Sequence, residues 1–174
     1  DGIADAYFVH PAAGRHPAVL VWPDIFGLRP AFRQMGKRLA ESGYAVLVIN
    51  PFYRTKKAPT APGKASFDDL ETRKQLMALR GTLSPATART DAQAFFAWLD
   101  AQAAVDTGRK AGTTGYCMGG PLVFETAALL PDRVGAAATF HAGGLVIDIV
   151  VGMMRPDRRL GHDLLTGVTF VRRL

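Results

Sequence analysis

Cysteine is almost missing from this chain: Cys117 is the single one in 174 residues. A lone cysteine excludes an internal disulfide, and with it a disulfide-stapled scaffold. It equally excludes a structural zinc site made of four cysteines or of paired cysteines and histidines. Histidine is scarce as well, with four in all. No apolar run approaches the ~20 residues of a membrane-spanning helix. The opening Asp1-Gly2-Ile3-Ala4-Asp5 lacks Met and lacks the basic and apolar regions of a signal peptide. The expectation is a cytoplasmic chain whose first residue is a processing point or the edge of a fragment. Also absent is any basic cluster interleaved with aromatics. The net charge is +6, but Lys56-Lys57 close to Pro59 reads as a solvated turn and no nucleic-acid motif accompanies it. Neither a nucleic-acid nor a membrane partner is expected.

What is present is enough for one domain with a real core: 48% of residues are hydrophobic and 21% charged. Ala18-Val19-Leu20-Val21-Trp22 and Ala45-Val46-Leu47-Val48-Ile49 are continuous apolar runs, each stopped by a proline at 23 or 51. Such runs suit strands buried on both faces of a parallel sheet. Between them Phe32, Met35, Leu39 and Ala40 recur at helical spacing and Gly43 ends the helix. Strand, helix, turn, strand predicts a parallel βαβ unit. Ala6 to His10 reads as a further short strand, and residues 51–66 as a surface loop. Phe67 to Leu79 reads as a helix, and Asp91 to Gln102 as a second, with Ala94, Phe95, Trp98 and Leu99 on one face. Lys110 to Thr114 is a strand, Gly119 to Leu130 a helix, and Val134 to His141 a strand. The alternation predicts an α/β domain, three-layered, with helices on both faces of a mostly parallel sheet. Residues 1–146 form that domain. Residues 147–174 form an atypical tail, in which positions 151–174 hold five Arg and two Asp and show no sustained periodicity.

Gly115-Tyr116-Cys117-Met118-Gly119-Gly120 follows a predicted strand and opens a predicted helix. That is the setting of the nucleophile elbow, G-x-S-x-G, with Cys117 in the place of serine. A sharp strand-to-helix turn lifts the side chain above the sheet, and the glycines let neighbouring backbone approach. The helix N-terminus favours developing negative charge and a thiolate. Met118 N–H is the first candidate oxyanion donor. The second comes from the loop after an early strand, Trp22-Pro23-Asp24-Ile25-Phe26-Gly27, where Ile25 N–H is the candidate. Asp24 stands at the C-terminal end of a parallel strand, where α/β sites form; it is either a site carboxylate or a cap of the next turn. Cys117 could instead be a small buried hydrophobe. A dinucleotide site fits less well, because Gly112, Gly115, Gly119 and Gly120 do not make G-x-G-x-x-G and the next strand ends in His141 rather than an acid.

These segments together resemble the dienelactone hydrolase family of the α/β-hydrolase superfamily. The resemblance runs through Asp5-Ala6-Tyr7-Phe8, Val21 to Gly27, Gly43 to Val48 with Asn50-Pro51-Phe52-Tyr53, the cysteine elbow, and Phe140-His141-Ala142-Gly143-Gly144-Leu145. It implies an α/β-hydrolase-like fold, incomplete at its C-terminus, and hydrolysis of a small ester or lactone such as dienelactone without metal or organic cofactor. It implies Cys117 as the nucleophile that forms an acyl-enzyme, and Ile25 and Met118 as the oxyanion hole. It puts Asp24 where the family has a glutamate that interacts with the resting thiol. Tyr116 and His141 fall at positions lining the site, His141 at its mouth and not as the catalytic base.

The triad of such enzymes places an Asp and then a His after the elbow. The familiar pattern stops near Val146, and the strands that would carry them are not found. His162 with Asp157 or Asp163 is a poor replacement, since neighbours in sequence are not thereby hydrogen-bonded as base and orienter. A frameshift or a fragment boundary would give such a tail. The rival readings are a remnant that binds a small ester or carboxylate without turning it over, and a nucleotide-binding α/β module. Arg80 and Arg89 are both candidates for a carboxylate-binding cation. The oligomeric state is not indicated.

Overall fold

The computed structural model describes residues 2–142, so the tail of 147–174, with His162, Asp157 and Asp163, lies outside the described residues. Among the described residues five strands form one sheet in the order β1-β3-β2-β4-β5. They are β1 (Ala6–Val9), β2 (Ala18–Trp22), β3 (Ala45–Ile49), β4 (Ala111–Tyr116) and β5 (Val134–Phe140). β1 runs antiparallel to β3 at one edge, and the remaining pairs are parallel. Four helices join them: α1 (Pro30–Glu41), α2 (Leu70–Gly81), α3 (Pro85–Asp100) and α4 (Gly119–Leu129). None of the described helices is long and apolar enough to cross a membrane.

The strand alternation divides the core into two layers. Val19, Val21, Val46 and Val48 pack with Phe32 and Ala40 of α1 and with Leu28. Leu20, Trp22, Leu47 and Ile49 point the other way, against Ala92, Phe95, Phe96 and Leu99 of α3 and Val123 and Ala127 of α4. All ten residues of β2 and β3 are buried, as continuous β-branched and aromatic runs require of strands covered on both faces.

Several boundaries differ from those expected. α3 begins at Pro85 instead of Asp91, because Ser84 and Thr87 form a reciprocal capping box and Pro85 occupies the first turn. α2 begins at Leu70 instead of Phe67, because the Asp69 carboxylate accepts the Thr72 N–H at 2.7 Å and fixes the start there. That bond to the backbone also holds the Asp69 carboxyl below its ordinary range. β4 continues to Tyr116, two residues beyond the expected end.

The topology itself locates a site. From β2 the chain crosses to β3 on one side and later returns to β4 on the other. Parallel α/β sheets open a crevice at such a switch point, outside the carboxyl ends of the strands. Trp22, the last residue of β2, is paired with Gly115 near the end of β4. The loop after Trp22 and the turn after Tyr116 are thereby brought together.

Candidate active site

Cys117 occupies the tight turn between β4 and α4 with φ of +53°. A non-glycine residue in this left-handed region costs about 1–3 kcal/mol and persists only where its surroundings impose it. Here they do. Cys117 N–H donates to the Phe140 carbonyl of β5 at 3.0 Å, and Gly120 N–H donates to the Cys117 carbonyl at 3.1 Å. The flanking glycines are required by contact. A Cβ on Gly115 would overlap the Gly119 carbonyl and come within 2.7 Å of Val123, and a Cβ on Gly119 would overlap the Trp22 carbonyl. The elbow is thus pressed against the end of β2 by backbone on both sides.

The half-buried Cys117 opens on a cleft of about 410 Å³. Asp24, Ile25 and Phe26 of the loop after β2 form one wall, and Met118 and Pro121 continue the floor from the elbow into α4. Phe67, Met77 and Arg80 come from α2 and the segment before it, and His141 follows β5. The backbone N–H groups of Ile25 and Met118 have no hydrogen-bond acceptor among the described residues. Two unpaired donors beside a thiol are an arrangement that can stabilise a carbonyl oxygen as it becomes anionic.

Asp24 reaches the cleft wall, but its carboxylate is engaged by a residue that the sequence reading did not single out. Arg29 donates from Nη1 to Oδ1 at 2.5 Å and from Nη2 to Oδ2 at 2.7 Å. Oδ1 also accepts the Phe26 N–H at 3.0 Å. Asp24 therefore organises its own turn, one of the two roles its position allowed. Among the described residues no side chain is hydrogen-bonded to Cys117 Sγ. His10 and His16 lie elsewhere, bonded to the carbonyls of Pro11 and Ala13.

Tyr116 departs from the expected lining role. Strand alternation turns it to the α1 face, where its ring stacks on Phe140 at 4.9 Å and meets Phe32 edge-on at 5.3 Å. Burial pushes its phenol pKa up, against the effect of a hydrogen bond with Thr114. Of the two candidate arginines, Arg80 lies on the cleft wall, whereas Arg89 pairs with Glu125 at 3.4 Å. Phe67, Met77 and Pro121 went unnoticed in the sequence, since apolar residues on a helix or in the segment before it look the same whether they meet a core or a cleft.

Comparison with known proteins agrees with the fold. Residues 4–158 match the model of the dienelactone hydrolase family. The chain belongs to that family. A carboxymethylenebutenolidase from Rhodococcus opacus is 31% identical over 129 residues, which are 74% of this chain and 44% of that protein. The solved structure of a dienelactone hydrolase-like promiscuous phosphotriesterase, P91, from metagenomic libraries superposes with a TM-score of 0.59 at 29% identity, covering 80% of this chain and 54% of that one. The α/β hydrolase GrgF from a Penicillium species shares the fold, with a TM-score of 0.55 at 16% identity over 85% of this chain and 48% of its own. This dienelactone hydrolase family chain spans about half the length of the curated relatives it matches.

Proposed function

We propose that this chain carries the nucleophile and oxyanion hole of a site that hydrolyses small carboxylic esters or lactones. Cys117 Sγ attacks the acyl carbon and a C–S bond forms. The carbonyl oxygen becomes an oxyanion held by the N–H groups of Ile25 and Met118. Collapse of the adduct breaks the C–O bond, and the leaving oxygen takes up the proton that the thiol released. Water then cleaves the thioester, returning the thiol and freeing the acid. The observation that carries this reading is the left-handed backbone of Cys117 at a strand-to-helix turn that opens on a cleft.

The name of the Rhodococcus relative, carboxymethylenebutenolidase, points to an unsaturated lactone that bears a carboxylate. Arg80 on the cleft wall supplies a cation for such a group. Metal or organic cofactors have no part in this scheme.

The decisive experiment uses p-nitrophenyl acetate. A burst of one p-nitrophenolate per chain, with an added acetyl mass that Cys117→Ala abolishes, is the expected result. A burst that survives in Cys117→Ala overturns the assignment. A second reading, a site that is acylated or occupied without turnover, is favoured by the missing side-chain partner for Cys117 Sγ among the described residues. A burst with no steady state after it selects that reading.

A further inference from the structure

Ile25 stands between two residues that are both held by Arg29. On one side, the guanidinium makes two parallel hydrogen bonds to the Asp24 carboxylate, at 2.5 and 2.7 Å. On the other, it lies over the Phe26 ring at 5.4 Å from its centroid. It also reaches the Gly27 carbonyl at 3.4 Å and rests on the Phe32 ring of α1 at 4.8 Å from its centroid. Arg29 is the N-cap residue of α1, so its backbone is tied to a helix buried on the sheet.

The loop is closed by further bonds that converge on the same turn. Phe26 N–H donates to Asp24 Oδ1 at 3.0 Å, and Gly27 N–H donates to the Asp24 carbonyl at 2.9 Å. The Thr60 hydroxyl donates to the Phe26 carbonyl at 3.0 Å. Gly27 takes φ of +68°, and a Cβ there would lie 2.6 Å from Thr60 Oγ1. The Ile25 N–H, by contrast, has no acceptor among the described residues.

We propose that Arg29 is a positioning residue, which clamps Asp24 and Phe26 so that the Ile25 N–H is presented to the cleft. Asp24 serves this reaction as the anchor of the clamp and not as the partner of the thiol. A planar fork that binds both carboxylate oxygens fixes orientation as well as position, which a lysine ammonium does not. This inference rests on the proposed function, because an oriented donor matters only where an oxyanion forms.

Two reactions of the same sulfur separate the clamp from general loosening. Acylation by p-nitrophenyl acetate passes through an oxyanion; alkylation by iodoacetamide displaces iodide at carbon and does not. With one cysteine in the chain, both are followed by mass. Arg29→Ala and Asp24→Asn are expected to slow acylation about tenfold or more, less than the ~10²–10³ lost when an oxyanion donor is removed outright. Alkylation should stay within about twofold of wild type. Arg29→Lys should recover little of the acylation rate. Amide exchange at Phe26 and Gly27 should quicken in Arg29→Ala, while exchange in β2 and β3 stays unchanged. Equal losses in acylation and alkylation would make Asp24 a thiol partner or the effect a global one, and would overturn the clamp. Unchanged acylation, or unchanged exchange at Phe26 and Gly27, also overturns it. If wild type shows no burst at all, the nucleophile reading falls, and exchange alone decides whether Arg29 holds the loop.

Discussion

Gly119, the first residue of α4, lies directly against the carbonyl oxygen of Trp22, the last residue of β2. This contact seats the elbow beside the loop that follows β2. The Pro23 carbonyl oxygen is close too, 2.7 Å from where a Cβ would stand. Backbone cannot swing aside as a flexible side chain can. Gly119→Ala is therefore expected to cost about 1–3 kcal/mol, the usual range for overpacking, read as a lower midpoint in urea denaturation. It should also slow Cys117 alkylation, since α4 must move relative to β2.

A second prediction concerns alkaline pH. Asp91 is 2% exposed and accepts from the Tyr53 hydroxyl at 2.9 Å and from both Arg54 nitrogens at 2.8 and 2.6 Å. Burial, the hydrogen bond to Asp91 and the Asp91 charge raise the Tyr53 phenol to about 12 from 10.0, against the opposing pull of Arg54. The folded state holds this proton more tightly than the unfolded state does. The resulting stability is complete below the ordinary tyrosine pKa and is lost as pH climbs from there towards the folded value. Melting curves of wild type and Tyr53→Phe should converge across that window, with wild type the more stable near neutrality. A gap that stays constant would contradict the assignment.

The charge of Arg80 can be read with a matched pair of reagents. Iodoacetate and iodoacetamide attack sulfur alike and differ by one negative charge. Arg80→Gln is expected to lower the iodoacetate-to-iodoacetamide rate ratio at Cys117 several-fold at low salt and less at high salt, as screening dictates. An unchanged ratio at low salt would place Arg80 outside the field felt by an anionic acyl group.

Phe67 and Met77 are large apolar side chains, 39% and 47% exposed, and both line the cleft. Exposed apolar area gathered at a cleft mouth marks a binding surface, and the flexible thioether of methionine adapts to what it meets. N-phenylmaleimide should label Cys117 faster relative to N-ethylmaleimide than it labels glutathione. Phe67→Ala with Met77→Ala should remove that preference. Thermal stability should change little, because neither side chain is fully buried.

The fold was legible where hydrophobic pattern alone decides structure. β2 and β3 are runs of Ala, Val, Leu and Ile, with Trp22 closing β2, and no charged residue interrupts them; their observed ends are those expected from the runs. The first turns of α3 were not legible by periodicity, since Pro85 to Thr90 offer alanine, threonine and arginine and almost no apolar stripe. A capping box carries that start instead. The elbow could be read from glycine spacing because steric exclusion leaves no other residue at Gly115 and Gly119. Tyr116 was expected to line the site from the family resemblance, whereas pairing of Val21 with Thr114 assigns Thr114, and with it Tyr116, to the α1 face. Arg29 stayed hidden because its contact with Asp24 depends on the left-handed turn at Gly27, and five-residue spacing across such a turn has no signature.

Asp5 has a longer reach than its place near the start of the chain suggests. Its carboxylate holds the Asn50 amide at 2.9 Å and the Ala58 N–H at 2.7 Å, and the loop between those two points carries Tyr53 and Arg54 into Asp91 on α3. Replacing Asp5 by alanine would thus slacken a tether whose other end is a helix nearly ninety positions away. The loss is felt in the middle of the domain rather than at its edge strand.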